Sequence, residues 1–149
     1  MRRSLVAFLV LLVASCTKPA RLDVTNAWTR DTIGRTENAA VFMTISSGTP
    51  DRLVSASSPA VAKKTDLMTM AGGRNAMEMT YAQGVDIPAN APVSLNPTGL
   101  HVWLAGLRQP LRTGQTFPLM LKFQKAGERR VVVSVIAPAA SPPMSTLQT

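Results

Sequence analysis

Residues 129–137, RRVVVSVIA, decide the fold class. Val131, Val133 and Val135 fall on one side of an extended chain, while Val132, Ser134 and Ile136 fall on the other. β-branched residues at period two read as a half-buried strand. Working backward, the segments FPLMLKFQK (117–125), GLHVWLAGL (99–107), AMEMTYA (76–82), LVSASS (53–58) and AAVFMTIS (39–46) read the same way. Turn signals separate them every eight to twelve residues or so: Ser47-Gly48-Thr49-Pro50, Ser58-Pro59, Gly72-Gly73, Pro88-Ala89-Asn90, Pro97-Thr98-Gly99, Gly114 and Gly127. This is the punctuation of an all-β sandwich or barrel, with no heptad, no convincing helical period and no internal repeat.

At 149 residues the chain has room for one ordinary core. Arg2 and Arg3 precede an apolar run, Leu5 to Ala14, which is too short to span a bilayer and reads as an export signal over residues 1–15. The run closes on Val13-Ala14-Ser15-Cys16, which resembles the lipobox at which bacterial lipoproteins are cleaved and the cysteine is diacylated. An ordinary secretory cleavage near Ser15, with an incidental cysteine, is the alternative. The expected organisation is lipidated Cys16 and a tether over 16–23, a β domain over 24–137, and a Pro/Ala/Ser-rich disordered tail over 138–149. The expected location is the periplasm or cell envelope, with a lipid chain as membrane anchor.

Cys16 is the only cysteine, so no intrachain disulfide can form, and its lipidation leaves no thiolate for a metal. The net charge is +8, falling to +6 once Arg2 and Arg3 leave with the signal. The basic residues are scattered and not interleaved with aromatics, which argues against nucleic-acid binding. In a tethered protein the surplus suits an anionic membrane or an acidic partner, or is simply a solvated surface.

His101 is the only histidine, and Trp103 follows two places later on the same strand face. Four methionines, Met68, Met70, Met77 and Met79, crowd into MTMAGGRNAMEM (68–79), where Ala71 to Asn75 suits a hairpin connection. Thioethers with a neutral imidazole make a soft site suited to Cu(I). The competing reading is that methionines fill a β core and the histidine is a passenger. No nucleophile elbow, phosphate loop or second histidine is present, so the chain does not read as an enzyme.

VTNAWTRDT, NAAVFMTIS, DRLVSASSP, MTMAGGRNAMEM and VDIPANAPVSLNPTGLHVWLAGLRQPLRTGQTFPLMLKF together resemble the periplasmic copper chaperones of the PCu(A)C family, over about Val24 to Val135. The resemblance implies a cupredoxin-like Greek-key β-barrel or sandwich. It also implies a Cu(I) carrier that serves the proteins assembling the copper centre of cytochrome oxidase. The family's metal motif is His, usually followed by Met, then ten residues, Met, twenty-one residues and His-x-Met. Met79 and His101 match it, with Met68 beside the first position, but Leu67 stands where the first His belongs and Trp103 where the last Met belongs. The resemblance therefore implies a reduced site of Met79, His101 and Met68, with Met70 or Met77 as substitutes. Two readings follow. Copper is retained, with Trp103 as a cation–π cap, or copper binding is lost, Trp103 plugs the vacated site, and the domain serves as an interaction module.

Overall fold

The computed structural model describes residues 21–34, 36–73 and 76–144, with the side chains of 71–73, 76 and 77 excepted. The signal stretch, Cys16 and residues 145–149 lie outside the described residues. Ten strands and no helix are found among them: β1 (Leu22–Arg30), β2 (Asn38–Ser47), β3 (Asp51–Ser57), β4 (Ala62–Gly73), β5 (Ala76–Tyr81), β6 (Val85–Ile87), β7 (Val93–Leu95), β8 (His101–Leu107), β9 (Thr116–Phe123) and β10 (Gly127–Ile136). The all-β class is as the alternation required. In β10, Val133 and Val135 are buried while Val132 is 62% exposed. The first strand begins at Leu22, inside the stretch assigned to the tether.

The strands form one sheet in the order β5-β4-β8-β2-β1-β10-β9-β3-β6, with β7 added alongside β2. Only β1 and β10 pair in parallel, through Trp28↔Ser134; the other pairs are antiparallel. The sheet folds over on itself, because Val41, Met43, Ile45, Val102, Leu104 and Leu67 from its first half share one buried cluster with residues of the second, including Leu53, Ile87, Leu119, Leu121, Phe123 and Val133. Each of these large side chains contributes about 1.5–3 kcal/mol by leaving water.

Two features of this frame position the site. First, β2 changes partner halfway along: Asn38 to Val41 pair with β8, whereas Met43 to Ile45 pair with β7. The connection 96–100 therefore leaves the sheet beside Phe42. Second, β1 carries a bulge between Thr25 and Trp28, with Asn26 at φ 52°. Asparagine tolerates this left-handed conformation better than other residues with a side chain. Beyond the bulge, Trp28 is the partner of Phe42, and the buried Thr29 hydroxyl donates to the Ala40 carbonyl at 2.7 Å.

Two carboxylates tie distant turns together. Asp31 accepts from the Thr113 amide (2.7 Å) and hydroxyl (2.9 Å), and these bonds, with the Arg112 guanidinium, hold its pKa below the usual carboxylate value against some desolvation. For Asp51, by contrast, desolvation is the largest influence and pushes its pKa up. The amides of Lys125, Arg52 and Ala126 together outweigh it and leave the group depressed. At the C-terminal end, the tail expected to be disordered begins with a turn. There the Arg30 guanidinium donates to the carbonyls of Ala137, Pro138 and Ala140.

Candidate metal site

Strand register brings the sequence candidates onto one face. Met68 pairs directly with His101 across β4 and β8, with Tyr81 of β5 on the other side of Met68. One row further along, Met70 pairs with Met79. Directly paired residues share a face, as do residues two apart, so His101, Met68, Met70, Met79, Tyr81 and Trp103 all project from the same side. Met77 holds the register position opposite Gly72, and its side chain is not among those described.

The register also ranks the thioethers. Met68 and His101 are direct partners, about 5 Å apart at Cα. Met70 is a diagonal neighbour with side chains about 7–8 Å apart. Met79 stands across the whole width of β4 and one row along, which puts its Cα about 12 Å from that of His101 at a strand spacing of about 4.8 Å. The motif spacing singled out Met79, but the pairing makes Met68 the nearest thioether. Met68 is 7% exposed and His101 4%, whereas Met79 is 37% exposed on the outer strand of the hairpin.

The histidine is oriented by the loop that precedes it. Asn96 Oδ1 accepts from the Thr98 amide (3.1 Å) and hydroxyl (3.0 Å), and the Asn96 amide donates to the Leu100 carbonyl (2.8 Å). This turn aims the Gly99 carbonyl at two donors: the Met70 amide at 3.2 Å and the His101 ring at Nδ1, 3.0 Å away. A carbonyl can only accept, so Nδ1 carries a proton, and the nitrogen left to offer a lone pair is Nε2. No polar group among the described residues is bonded to Nε2. Metal-binding histidines are held in this way, by a bond at the nitrogen that does not ligate.

Aromatic rings surround the imidazole. The Phe42 ring lies 6.2 Å away at 57° and the Trp103 ring 6.2 Å away at 71°; Trp28 continues the cluster at 4.7 Å from Phe42, with the Arg30 guanidinium 5.2 Å over its ring. The motif did not single out Phe42, Trp28, Tyr81 or the Gly99 carbonyl. Of these, only the β2 alternation, which sets Phe42 opposite in face to the core residues Val41 and Met43, held a signal in the sequence.

Leu67 is 5% exposed, pairs with Val102 and belongs to the core cluster on the opposite face from His101. The position that the sequence resemblance aligns with the motif's first His thus points into the sandwich. Asp66, on the site face opposite Trp103, is already engaged by Lys64 at 3.0 Å. The Lys64 ammonium also lies 4.9 Å from the Tyr81 ring, and its pKa is raised, first by Asp66 and then by the Tyr81 hydroxyl. Among the described residues no three His, Cys, Asp or Glu side chains converge, so a hard or imidazole-rich metal site is not formed by them. The available donors are one imidazole and thioethers, a set that fits Cu(I).

An all-β sandwich with one imidazole and several thioethers on one sheet face defines a protein with a soft donor set. Comparison with known proteins places the chain. It belongs to the PCu(A)C-type family described as "Putative lipoprotein LpqE-like", whose model matches residues 22–135. A relative from Leifsonia xyli subsp. xyli (strain CTCB07), named "Putative lipoprotein Lxx21020", is 29% identical over 131 residues, covering 85% of this chain and 78% of that protein. The apo PCuAC domain from PmoF1 superposes with a TM-score of 0.67 at 26% identity, covering 78% of this chain and 94% of that domain. The Cu(I) form of DR1885 from Deinococcus radiodurans gives a TM-score of 0.62 at 28% identity, covering 76% and 77%. The family resemblance and the cupredoxin-like β fold expected from the sequence are both borne out, and the family is a copper-chaperone-like one.

Proposed function

We propose that this protein is a lipid-anchored carrier of Cu(I) in the bacterial cell envelope. The metal is its cargo, bound by His101 Nε2 and the Met68 thioether, with Met70 or Met79 as third donor. The observation that carries this reading is the bond from Nδ1 to the Gly99 carbonyl, which leaves Nε2 as the free nitrogen of a histidine whose direct strand partner is Met68. Two or three soft ligands suffice for Cu(I), while Cu(II), which prefers several imidazoles or carboxylates, is held poorly. Trp103 closes the site beside the imidazole, where an indole face adds up to about 2 kcal/mol to binding of a desolvated cation. Anchoring is assigned to Cys16, the presence of the family's lipoproteins supports it, and the recipients are the proteins that assemble the copper centre of cytochrome oxidase.

A second reading, a metal-free interaction module on the same fold, is favoured by one observation: Leu67 supplies a core side chain instead of a ligand. Competition for Cu(I) against a chelator, under reducing conditions, separates the two. Met68→Leu conserves volume, so the fold persists. Wild type should hold Cu(I), with His101→Ala and Met68→Leu at least ten times weaker, and the more affected of Met70→Leu and Met79→Leu identifies the third donor. Wild type competing no better than His101→Ala would remove the carrier reading and leave the module.

A further inference from the structure

The start of β1, which the tether precedes, and the Gly73–Ala76 end of the β4–β5 hairpin lie at the same end of the sandwich. Both β2 and β4 are antiparallel to β8, so they run in one direction, and Val41 and Leu67 share Val102 as partner. Following both strands to their ends brings Ser47 level with Gly73. Ser47 is in turn the partner of Leu22, where the described domain meets the tether. The β2–β3 turn at 48–50 and the β9–β10 turn at 124–126 belong to this end too, since Asp51 accepts from the Lys125 and Ala126 amides. The opposite end carries the loops at 58–61 and 108–115.

Resting on the proposed acylation of Cys16, we infer that this end of the sandwich faces the bilayer, so that the Met70–Met79 face is held within reach of membrane-embedded partners. The residues from Cys16 to Arg21 span at most about 18 Å when fully extended. Met70 and Met79 stand level with Thr44 of β2, about 10 Å along the strands from the tethered end, and the Met68–His101 row stands about 17 Å along. The exposed thioether of Met79 is therefore confined to within about 30 Å of the lipid surface. The loop at 108–110, beyond the far end of β8, is held further out. A recipient whose copper-receiving groups project slightly from the membrane meets this face at the right height.

Three single-cysteine variants of the lipidated protein test this: Gly48→Cys, Glu78→Cys and Gln109→Cys, each exposed and each the only free thiol once Cys16 is acylated. Gly48 has open space around the position a side chain would take. The variants are labelled with a fluorophore and reconstituted in vesicles of phosphatidylethanolamine and phosphatidylglycerol containing a headgroup spin-labelled lipid. Quenching at positions 48 and 78 should exceed that at 109 at least threefold. A flexible twenty-residue Gly/Ser insertion after Lys18 should abolish the difference. Protein that floats with the vesicles but is quenched equally at all three positions, or most at 109, overturns this inference alone. Protein that carries no acyl mass and does not float overturns the anchor as well.

Discussion

The substitution Leu67→His introduces the residue that the sequence resemblance assigns to this position, and the structure requires it to fail as a ligand. Leu67 packs in the core against Val102 on the face away from His101. Replacing it forfeits about 2 kcal/mol of apolar burial. It also leaves imidazole nitrogens without partners among aliphatic side chains, at a further cost of about 1–3 kcal/mol. The loss of about 3–5 kcal/mol is large beside the roughly 5–15 kcal/mol that holds a typical domain folded. For a domain of this size it lowers Tm by roughly 10–20 °C. Thermal unfolding followed by circular dichroism reads this directly, and a Cu(I) chelator titration of the same sample below its Tm reads the metal. The expected result is a lower Tm with Cu(I) affinity no better than wild type, and the double variant Leu67→His, Trp103→Met should bind no more tightly than Trp103→Met alone. A variant with unchanged Tm and a tenfold gain in Cu(I) affinity would show that position 67 turns toward His101, and the register argument would be refuted.

Asn96→Ala removes the acceptor for both Thr98 donors, so the Gly99 carbonyl is less well aimed; ¹⁵N shifts of the His101 ring should show a mixture of tautomers and Cu(I) affinity should fall several-fold, with Asn96→Asp restoring both. Asp31 and Asp51 have depressed pKa values in the fold, so the stability they contribute is complete above the unfolded carboxylate value, about 4, and is lost as pH falls through the folded values. Asp51→Asn should therefore be less stable than wild type by urea denaturation at pH 7, and the gap should shrink as the pH drops below about 4. Arg30→Ala frees the carbonyls of Ala137, Pro138 and Ala140, so amide exchange at Ala140, whose N–H donates to Ala137, should accelerate while exchange in β10 is unaffected.

The strands were legible because their signal is local. Val131 to Ile136 alternates regardless of what lies next to it, and so do 39–46 and 117–125. The hairpin carrying Met68 to Met79 was legible as well, but Ala71 to Gly73, read as part of its connection, lie in β4 and pair with Glu78, Met77 and Ala76 of β5. The composition of the site was also readable, since a chain with one histidine and a knot of methionines has few other donors to offer. Its arrangement was not. Which methionine meets His101 depends on how β4 pairs with β8, and a shift by one residue would send Met68 into the core and Leu67 to the face. The motif spacing selected Met79, but β4 runs between Met79 and His101. Likewise the tautomer of His101 depends on a backbone carbonyl, which has no signature in residue type.

That carbonyl has a further consequence. The oxygen of Gly99 uses its two lone pairs on the imidazole proton and on the amide of Met70, so the orientation of the nitrogen donor and the seating of the thioether strand share one atom. A protein that grips the outer edge of the hairpin and draws it aside would strain both bonds together. The hold on a metal would then fail as a unit at the moment of contact, and stay intact in transit.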